Sequence, residues 1–302
     1  MSRPPFPQIP PPTPLAPACG SCTLVGAGPG DPELLTLKAL KAIRAATVLF
    51  VDDLVSEAIV AQAAPTARIV HVGKRGGCKS TPQAFIEKLM RMAVHAGENV
   101  VRLKGGDPFI FGRGGEEVES LRAAGIAVHV INGITAGLAG LTALGAPLTH
   151  RAHAHGVVFV TGHAKPGDAA IDWRQLAATA RAARLTLVIY MGVSGAAGIE
   201  QELLAGGLPA DTPVAIIENA SLPRQRHAVT TLHALHATIL REGLGSPAVI
   251  VVGDVVRGVA AQAEAAGREQ PFGPFSECAR TAGAFADGRV NAEKTILARA
   301  AQ

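Results

Sequence analysis

The sequence predicts an α/β protein built as two domains, and three observations carry that prediction. Apolar, strand-like runs alternate with amphipathic, helix-like stretches, the pattern of βα units around a mostly parallel sheet. The 302 residues exceed the usual size of a single compact domain. Glycine-rich segments recur at the ends of the predicted strands, where open α/β sheets bind their ligands. Composition agrees: 48% hydrophobic and 17% charged residues is an ordinary globular balance, and with 4% aromatics the core must be filled by Ala, Val, Leu and Ile.

Eight of the 21 prolines fall between Pro4 and Pro17, so residues 1–20 are expected to form a disordered, proline-rich tail. The N-terminal α/β domain is expected over 21–148. Residues 23–25 read as a strand, followed by a glycine turn and a helix from about Asp31, with Asp31 as N-cap and Pro32 at the first helical position. Leu34, Leu37, Leu40 and Ile43 give that helix its apolar stripe. Residues 47–51, with VLFV at their centre, form a continuous apolar run, as parallel strands buried on both faces do. A strand at 69–72, a helix at 82–95, a strand at 100–103, a helix at 116–124 and a strand at 128–131 follow. Residues 135–144 are a Gly/Ala-rich helix able to pack closely.

The C-terminal α/β domain is expected over 149–258. Its strands are placed at 157–161, 185–190, 214–218, 228–231 and 248–252, and its helices at 173–183, 196–204 and 232–242, with turn residues between them. Residues 259–302 are rich in Ala, Gly and charge without a steady period and are expected to be a poorly ordered tail.

Several function classes are disfavoured. A formal charge of +4 suits an anionic small molecule, and no dense Lys/Arg run argues for nucleic acid. No apolar stretch reaches membrane length, and MSRPPFPQIPPPTP lacks the apolar core of a signal peptide. Four cysteines build no disulfide framework, which points to a reduced cytoplasm. The pair Cys19 and Cys22 sits between a tail and a strand, not at a helix start, and reads as incidental. His150, His153 and His155 match no compact zinc template, so no metal centre is expected.

The glycine loops carry the chemistry. After strand 100–103 comes Gly105-Gly106-Asp107-Pro108, then Phe109-Ile110-Phe111, then Gly112-Arg113-Gly114-Gly115. Two glycine pairs let the backbone approach a ligand closely, and the apolar trio is expected to fold inward as a pocket wall. Gly26-Ala27-Gly28-Pro29-Gly30-Asp31 nearly matches a dinucleotide fingerprint, with Asp52 and Asp53 ending the next strand as ribose-binding acids would. Asp31, however, occupies the third glycine position and would set negative charge against a pyrophosphate. A nicotinamide dinucleotide is therefore disfavoured, and no Gly-Lys-Ser/Thr supports a P-loop. A ligand without phosphates, such as S-adenosylmethionine, suits these loops better.

VGAGPGDPELLTLKAL (25–40), VDDLVS (51–56), VGKRGG (72–77), RLKGGDPFIFGRGGEE (102–117), NGITAG (132–137), GAPLTHR (145–151), FVTGH (159–163), YMG (190–192) and PAVIVVG (247–253) occur in this order. Together they resemble the tetrapyrrole methylase family over roughly 23–256. The resemblance implies two α/β domains with the active site in the cleft between them, in a homodimer. It implies two successive transfers of methyl from S-adenosylmethionine to uroporphyrinogen III, giving precorrin-2 on the way to sirohaem or cobalamin. It places the methyl donor on Pro29, Gly105, Gly106, Asp107, Ile110, Thr135, Ala136, Met191, Ala220 and Ala248, and suggests Asp52 as proton acceptor and Lys74 as proton donor.

A carboxylate-rich substrate calls for basic side chains, and Arg75, Arg113, Arg151 and Arg226 are the candidates. Plainer roles stand beside these: Asp52 as a strand-end turn former, Lys74 and Arg75 as a solvated turn, Asp107 as a cap before Pro108, Met191 as core. Asp53 stands where the family usually has Arg, Asn132 where Pro is common, and Ala220 where Gly is common. Alternatives are a methylase of a later precorrin intermediate, a nicotinamide-dependent oxidoreductase and a non-catalytic tetrapyrrole-binding protein.

Overall fold

The computed structural model describes residues 20–73, 81–163 and 171–259. The expected tails fall almost entirely outside them, and so do Lys74 and Arg75.

The first sheet contains β1 (Ser21–Gly26), β2 (Val48–Val51), β3 (Arg68–His71), β4 (Asn99–Lys104) and β5 (Val128–Ile131), in the order β3-β2-β4-β1-β5. Every pairing in it is parallel. Helices cover both faces. Val25, Leu49, Val101 and Leu103 pack under α1 (Leu37–Ala45) and α2 (Glu57–Val60), whereas Cys22, Leu24, Phe50 and Val100 pack under α3 (Gln83–His95) and α4 (Gly114–Ala123). Two-sided burial explains why VLFV is apolar throughout.

The helix expected from Asp31 begins later. Pro32–Leu34 is a single 3-10 turn, capped by the Asp31 carboxylate, which accepts from the Glu33 amide at 2.8 Å. Thr36 then caps α1 through the Ala39 amide at 3.1 Å. The sequence holds two N-caps in succession, and the second one starts the helix.

The second sheet is mixed. It contains β6 (Gly156–Thr161), β7 (Leu185–Tyr190), β8 (Pro213–Glu218), β9 (Arg226–Thr231) and β10 (Ala248–Val252), in the order β6-β7-β10-β8-β9. Only β6 and β7 run parallel; β10 is antiparallel to β7 and β8, and β9 to β8. Leu187, Ile189, Val214, Ile216 and Ile250 form one core with α6 (Trp173–Ala183), α7 (Ala196–Ala205) and α8 (Leu235–Glu242).

The opposite face of this sheet receives α5 (Ala136–Thr142), the helix expected to close the first domain. Its Leu141, with Leu144 beyond it, joins Val188, Ile217 and Val249 in a single core. Glycines make the approach possible: a Cβ on Gly137 would stand 2.7 Å from Val188 Cγ1, and one on Gly140 would stand 3.4 Å from Val249 Cγ2. Helix α5 thus follows a first-sheet strand in sequence and packs on the second sheet in space. Both sheets fall in one compact unit.

Candidate active site

The strand ends of the first sheet meet through their backbones. Gly28 and Gly106 exchange amide hydrogen bonds, Gly28 N to Gly106 O at 3.1 Å and Gly106 N to Gly28 O at 2.7 Å. A Cβ on Gly133 would lie 2.2 Å from Gly106 O, and one on Gly26 would lie 2.4 Å from Gly133 N. Leu54, past the end of β2, lies across Gly105, where an added Cβ would be 2.7 Å from its own Cβ. These glycines are therefore required by packing between loops as well as by any ligand.

Asp107 is the tie between them. It is 7% exposed; its Oδ2 accepts from Gly133 N and Asn132 Nδ2, both at 3.1 Å, and its Oδ1 accepts from Phe109 N at 2.8 Å. The side-chain amide of Asn132 thus ties the end of β5 to Asp107, a bond that a proline there could not make. The expected capping of the turn is present, and the carboxylate also clamps the β5 loop to the β4 loop.

The second sheet supplies the other wall. Tyr190, the last residue of β7, places its hydroxyl 2.7 Å from Thr135 Oγ1 and accepts from Gly137 N at 2.8 Å. Burial raises the pKa of this phenol, opposed by the Thr135 and Gly137 hydrogen bonds. Met191 follows at φ 54° and is 46% exposed, so it is not core. The loop after β8 docks on the first glycine turn: Ser221 Oγ accepts from Asp31 N at 3.2 Å, and Leu222 Cδ2 fills the space where Gly30 would carry a Cβ, 2.5 Å away. Ala220 is buried in that loop near Gly140, and Pro247, just before Ala248, accepts from Asn219 N at 2.9 Å. Pro29, Gly105, Gly106, Asp107, Ile110, Thr135, Ala136, Met191, Ala220 and Ala248 therefore lie on, or directly beside, segments linked by these contacts.

Tyr190 is the direct polar link between α5 and β7. Tyr190→Phe is expected to cost about 1–2 kcal/mol in urea unfolding, because Thr135 and the Gly137 amide lose their shared partner.

Phe109 and Phe111 are 53% and 41% exposed, so they are not core, and they line a cavity with Pro108, Arg113 and Glu116. Phe111 at φ 51° and Arg113 at φ 57° adopt the left-handed region, and Phe111 rests its ring 5.0 Å from that of Tyr190.

Asp52 ends β2 over the same edge. Its Oδ1 accepts from Asp53 N at 3.2 Å, and its Oδ2 lies 3.4 Å from Arg102 Nη2 and 3.9 Å from Lys104 Nζ. Asp53 packs against Gly73, the last described residue before Lys74 and Arg75.

Arg102, Lys104 and Glu117 are the residues that sequence reading passed over. Arg102 and Lys104 are 2% exposed and Glu117 is fully buried. Glu117 Oε1 accepts from Arg102 Nε at 3.0 Å, Gln83 Nε2 at 2.9 Å and Lys104 Nζ at 3.3 Å. The available signal was a pair of cations two apart in a central strand, hence on one buried face, which demands a buried anion. Burial lowers the Lys104 pKa, Arg102 adds to the fall, and Glu117 and Asp52 oppose it.

The substrate arginines fare differently. Arg113 is held by the Glu116 carboxylate through Nε at 3.1 Å, and Arg151 is exposed in the turn that Ala154 closes on His150. Arg226 is committed elsewhere: Nε donates to Glu218 at 2.7 Å, and its terminal nitrogens donate to the Glu242 and Gly243 carbonyls at the end of α8. Arg226→Ala is accordingly expected to lower stability by about 1 kcal/mol in chemical denaturation and to leave the substrate KM unchanged.

Among the described residues, no group of His, Cys, Asp or Glu is arranged to hold a metal ion, and no helix is long and apolar enough to cross a membrane. His150 and His153 stack their rings 4.6 Å apart. Cys22 lies buried in β1, its thiol pushed up to about 12, first by burial and then by Glu117.

The profile of the family described as Tetrapyrrole (Corrin/Porphyrin) Methylases matches residues 21–236. A uroporphyrinogen-III C-methyltransferase of Pseudomonas aeruginosa is 53% identical over 243 residues, 80% of this chain and 97% of the relative. A sirohaem synthase of Azotobacter vinelandii is 48% identical over 240 residues, 80% of this chain but 51% of that protein. The crystal structure of a uroporphyrin-III C-methyl transferase from Thermus thermophilus, complexed with S-adenyl homocysteine, superposes with a TM-score of 0.66 at 42% identity, over 79% of this chain and 99% of that one. A cobalt precorrin-4 methyltransferase superposes with a TM-score of 0.70 at 26% identity, over 78% of this chain and 95% of the other.

Proposed function

Because the chain belongs to the tetrapyrrole methylase family, we propose that it is a uroporphyrinogen-III C-methyltransferase, converting uroporphyrinogen III to precorrin-2 by two successive methyl transfers from S-adenosylmethionine. The observation that carries this reading is the meeting of the Gly26–Gly30, Gly105–Asp107 and Asn132–Thr135 loops with Tyr190, beside Met191, and with Ser221 and Leu222, beside Ala220, at the strand ends where the family resemblance sets the methyl donor. Small side chains and close-packed backbone there suit a flat nucleoside with an apolar sulfonium neighbourhood. A dinucleotide is poorly served: the first glycine turn leads into a 3-10 turn capped by Asp31, and α1 starts only at Leu37, so no helix N-terminus meets a pyrophosphate.

The donor supplies an electrophilic methyl on sulfur, which an electron-rich pyrrole carbon attacks in line. The chain's task is positioning: Asp107 fixes the loops, Tyr190 fixes α5 against β7, and the reacting atoms are thereby held at contact distance. The methylated, cationic macrocycle then loses a proton from the adjacent bridge carbon. Asp52, a third exposed beside the glycine loops, is the base for that step, and Lys74 the proton donor in the family arrangement. Arg151 and Arg75 are the remaining cations for the substrate's carboxylates. The enzyme acts as a cytoplasmic homodimer supplying precorrin-2 for sirohaem or cobalamin.

Calorimetric titration separates this reading from an oxidoreductase. S-adenosylhomocysteine is expected to bind with a micromolar or lower Kd and NADH not to bind; the reverse would sink the proposal. Methyl-labelled S-adenosylmethionine offered with uroporphyrinogen III, and separately with precorrin-2, then separates it from a later-acting methylase: label should enter the first and not the second.

A further inference from the structure

The proton acceptor stands on a set of buried charges that the methyl-transfer chemistry itself does not require. We propose that Glu117, through Lys104 and Arg102, is a positioning residue for Asp52: a buried charge frame that fixes the carboxylate as a base and returns it to the charged state after each proton uptake. This rests on the reading of Asp52 as the base.

The geometry is specific. Glu117 sits on α4 with no exposed surface, and Arg102 and Lys104 rise from one face of β4 at 2% exposure. Glu117 Oε1 takes Arg102 Nε at 3.0 Å and Lys104 Nζ at 3.3 Å, while Oε2 lies 3.2 Å from Lys104 Nζ but outside hydrogen-bond angles. Arg102 spends its Nη1 on the Phe50 and Leu103 carbonyls, which fixes the guanidinium against the end of β2. What remains, Arg102 Nη2 and Lys104 Nζ, faces Asp52 Oδ2 at 3.4 and 3.9 Å. Oδ1 is meanwhile held by the Asp53 amide at 3.2 Å. Asp53 itself is the other acid beside Asp52, and Cys22, under Arg102, stays a neutral thiol.

With Lys104 protonated, the charges balance when Asp52 is ionised: Arg102 and Lys104 against the Glu117 and Asp52 carboxylates. When Asp52 accepts the bridge-carbon proton, the C–H electron pair stays in the macrocycle and the frame is left with one uncompensated positive charge away from water. That state is costly, so the proton passes on to solvent from the open edge of Asp52, the one member of the frame that is substantially exposed, at 35%. A weak base suffices, because the cationic macrocycle is itself a strong carbon acid.

The test uses the full chain carrying Lys104→Met with Glu117→Gln, which withdraws one cation and one carboxylate together and leaves the interior neutral. S-adenosylhomocysteine affinity and the KM for uroporphyrinogen III should match wild type. The kcat should fall on the order of tenfold, and the acidic limb of its pH profile should leave its wild-type position as the charges facing Asp52 change. Should the double variant not fold, Lys104→Gln withdraws the cation alone, leaves Arg102 facing two carboxylates, and should lower kcat and move the limb upward, and Lys104→Arg should return the limb to its wild-type position. A packing role alone would lower Tm and leave the limb in place, so a wild-type profile in the neutral variants overturns the proposal. Asp52→Asn separates the two readings: if it is fully active, the base assignment fails; if it is inactive while the neutral variants keep the wild-type profile, only the frame fails.

Discussion

Gly133→Ala is expected to reduce S-adenosylhomocysteine affinity by roughly a hundredfold or more, measured by calorimetry. The added methyl would sit 2.2 Å from Gly106 O and 2.8 Å from Gly26 C. Both are backbone atoms of strand ends pinned in the sheet, so neither can swing aside as a flexible side chain would. The β5 loop must move away from the β1 and β4 loops, and overpacking of this kind costs about 1–3 kcal/mol before any loss of ligand contact. Separation would also lengthen the bonds from Gly133 N and Asn132 to Asp107. Gly198→Ala is the matched control: it lies on α7 with nothing near its added Cβ and should bind like wild type. Unchanged affinity in Gly133→Ala would mean that the three loops do not form the donor site.

Asp52→Asn is expected to leave S-adenosylhomocysteine affinity within about twofold and to lower kcat by roughly a hundredfold to ten-thousandfold, the usual range for removing a general base. The substitution preserves size and the acceptor for Asp53 N, so the defect isolates the charge. It also deprives Arg102 and Lys104 of an anionic neighbour, and Tm should drop modestly. Steady-state rates and the binding titration, run on one preparation, separate the outcomes. A proportional loss of binding and turnover would make Asp52 a structural residue; full activity would remove it from the mechanism.

Much of the fold is legible in the sequence because local and global signals agree. VLFV reads as a doubly buried strand and is one, and 128–131, 173–183, 185–190 and 248–252 are the observed elements. Helix α5 was legible as a helix but not in its allegiance, since its small residues permit close packing without naming the partner. The antiparallel course of β8, β9 and β10 was equally hidden, because strand direction is set by tertiary pairing and leaves little mark on a short apolar run.

The site was legible in its glycines and obscure in its ties. Gly105, Gly106 and Gly28 announce close backbone approach, and they approach one another. Asp107 was read for a ligand and a turn; its bond to Gly133, across the sheet edge, required the fold. Arg226 looked like a free cation because Glu218 and the end of α8 come to it only after β8 and β9 pair. Arg102, Lys104 and Glu117 lay inside a recognised segment, and only burial shows that their charges must be counted together.

The most direct measurement is the mass of the product formed when the purified protein is incubated anaerobically with uroporphyrinogen III and S-adenosylmethionine. The account predicts a tetrapyrrole bearing two added methyl groups, with S-adenosylhomocysteine formed in matching amount. A tetrapyrrole of unchanged mass, from protein that still binds S-adenosylhomocysteine, would contradict it.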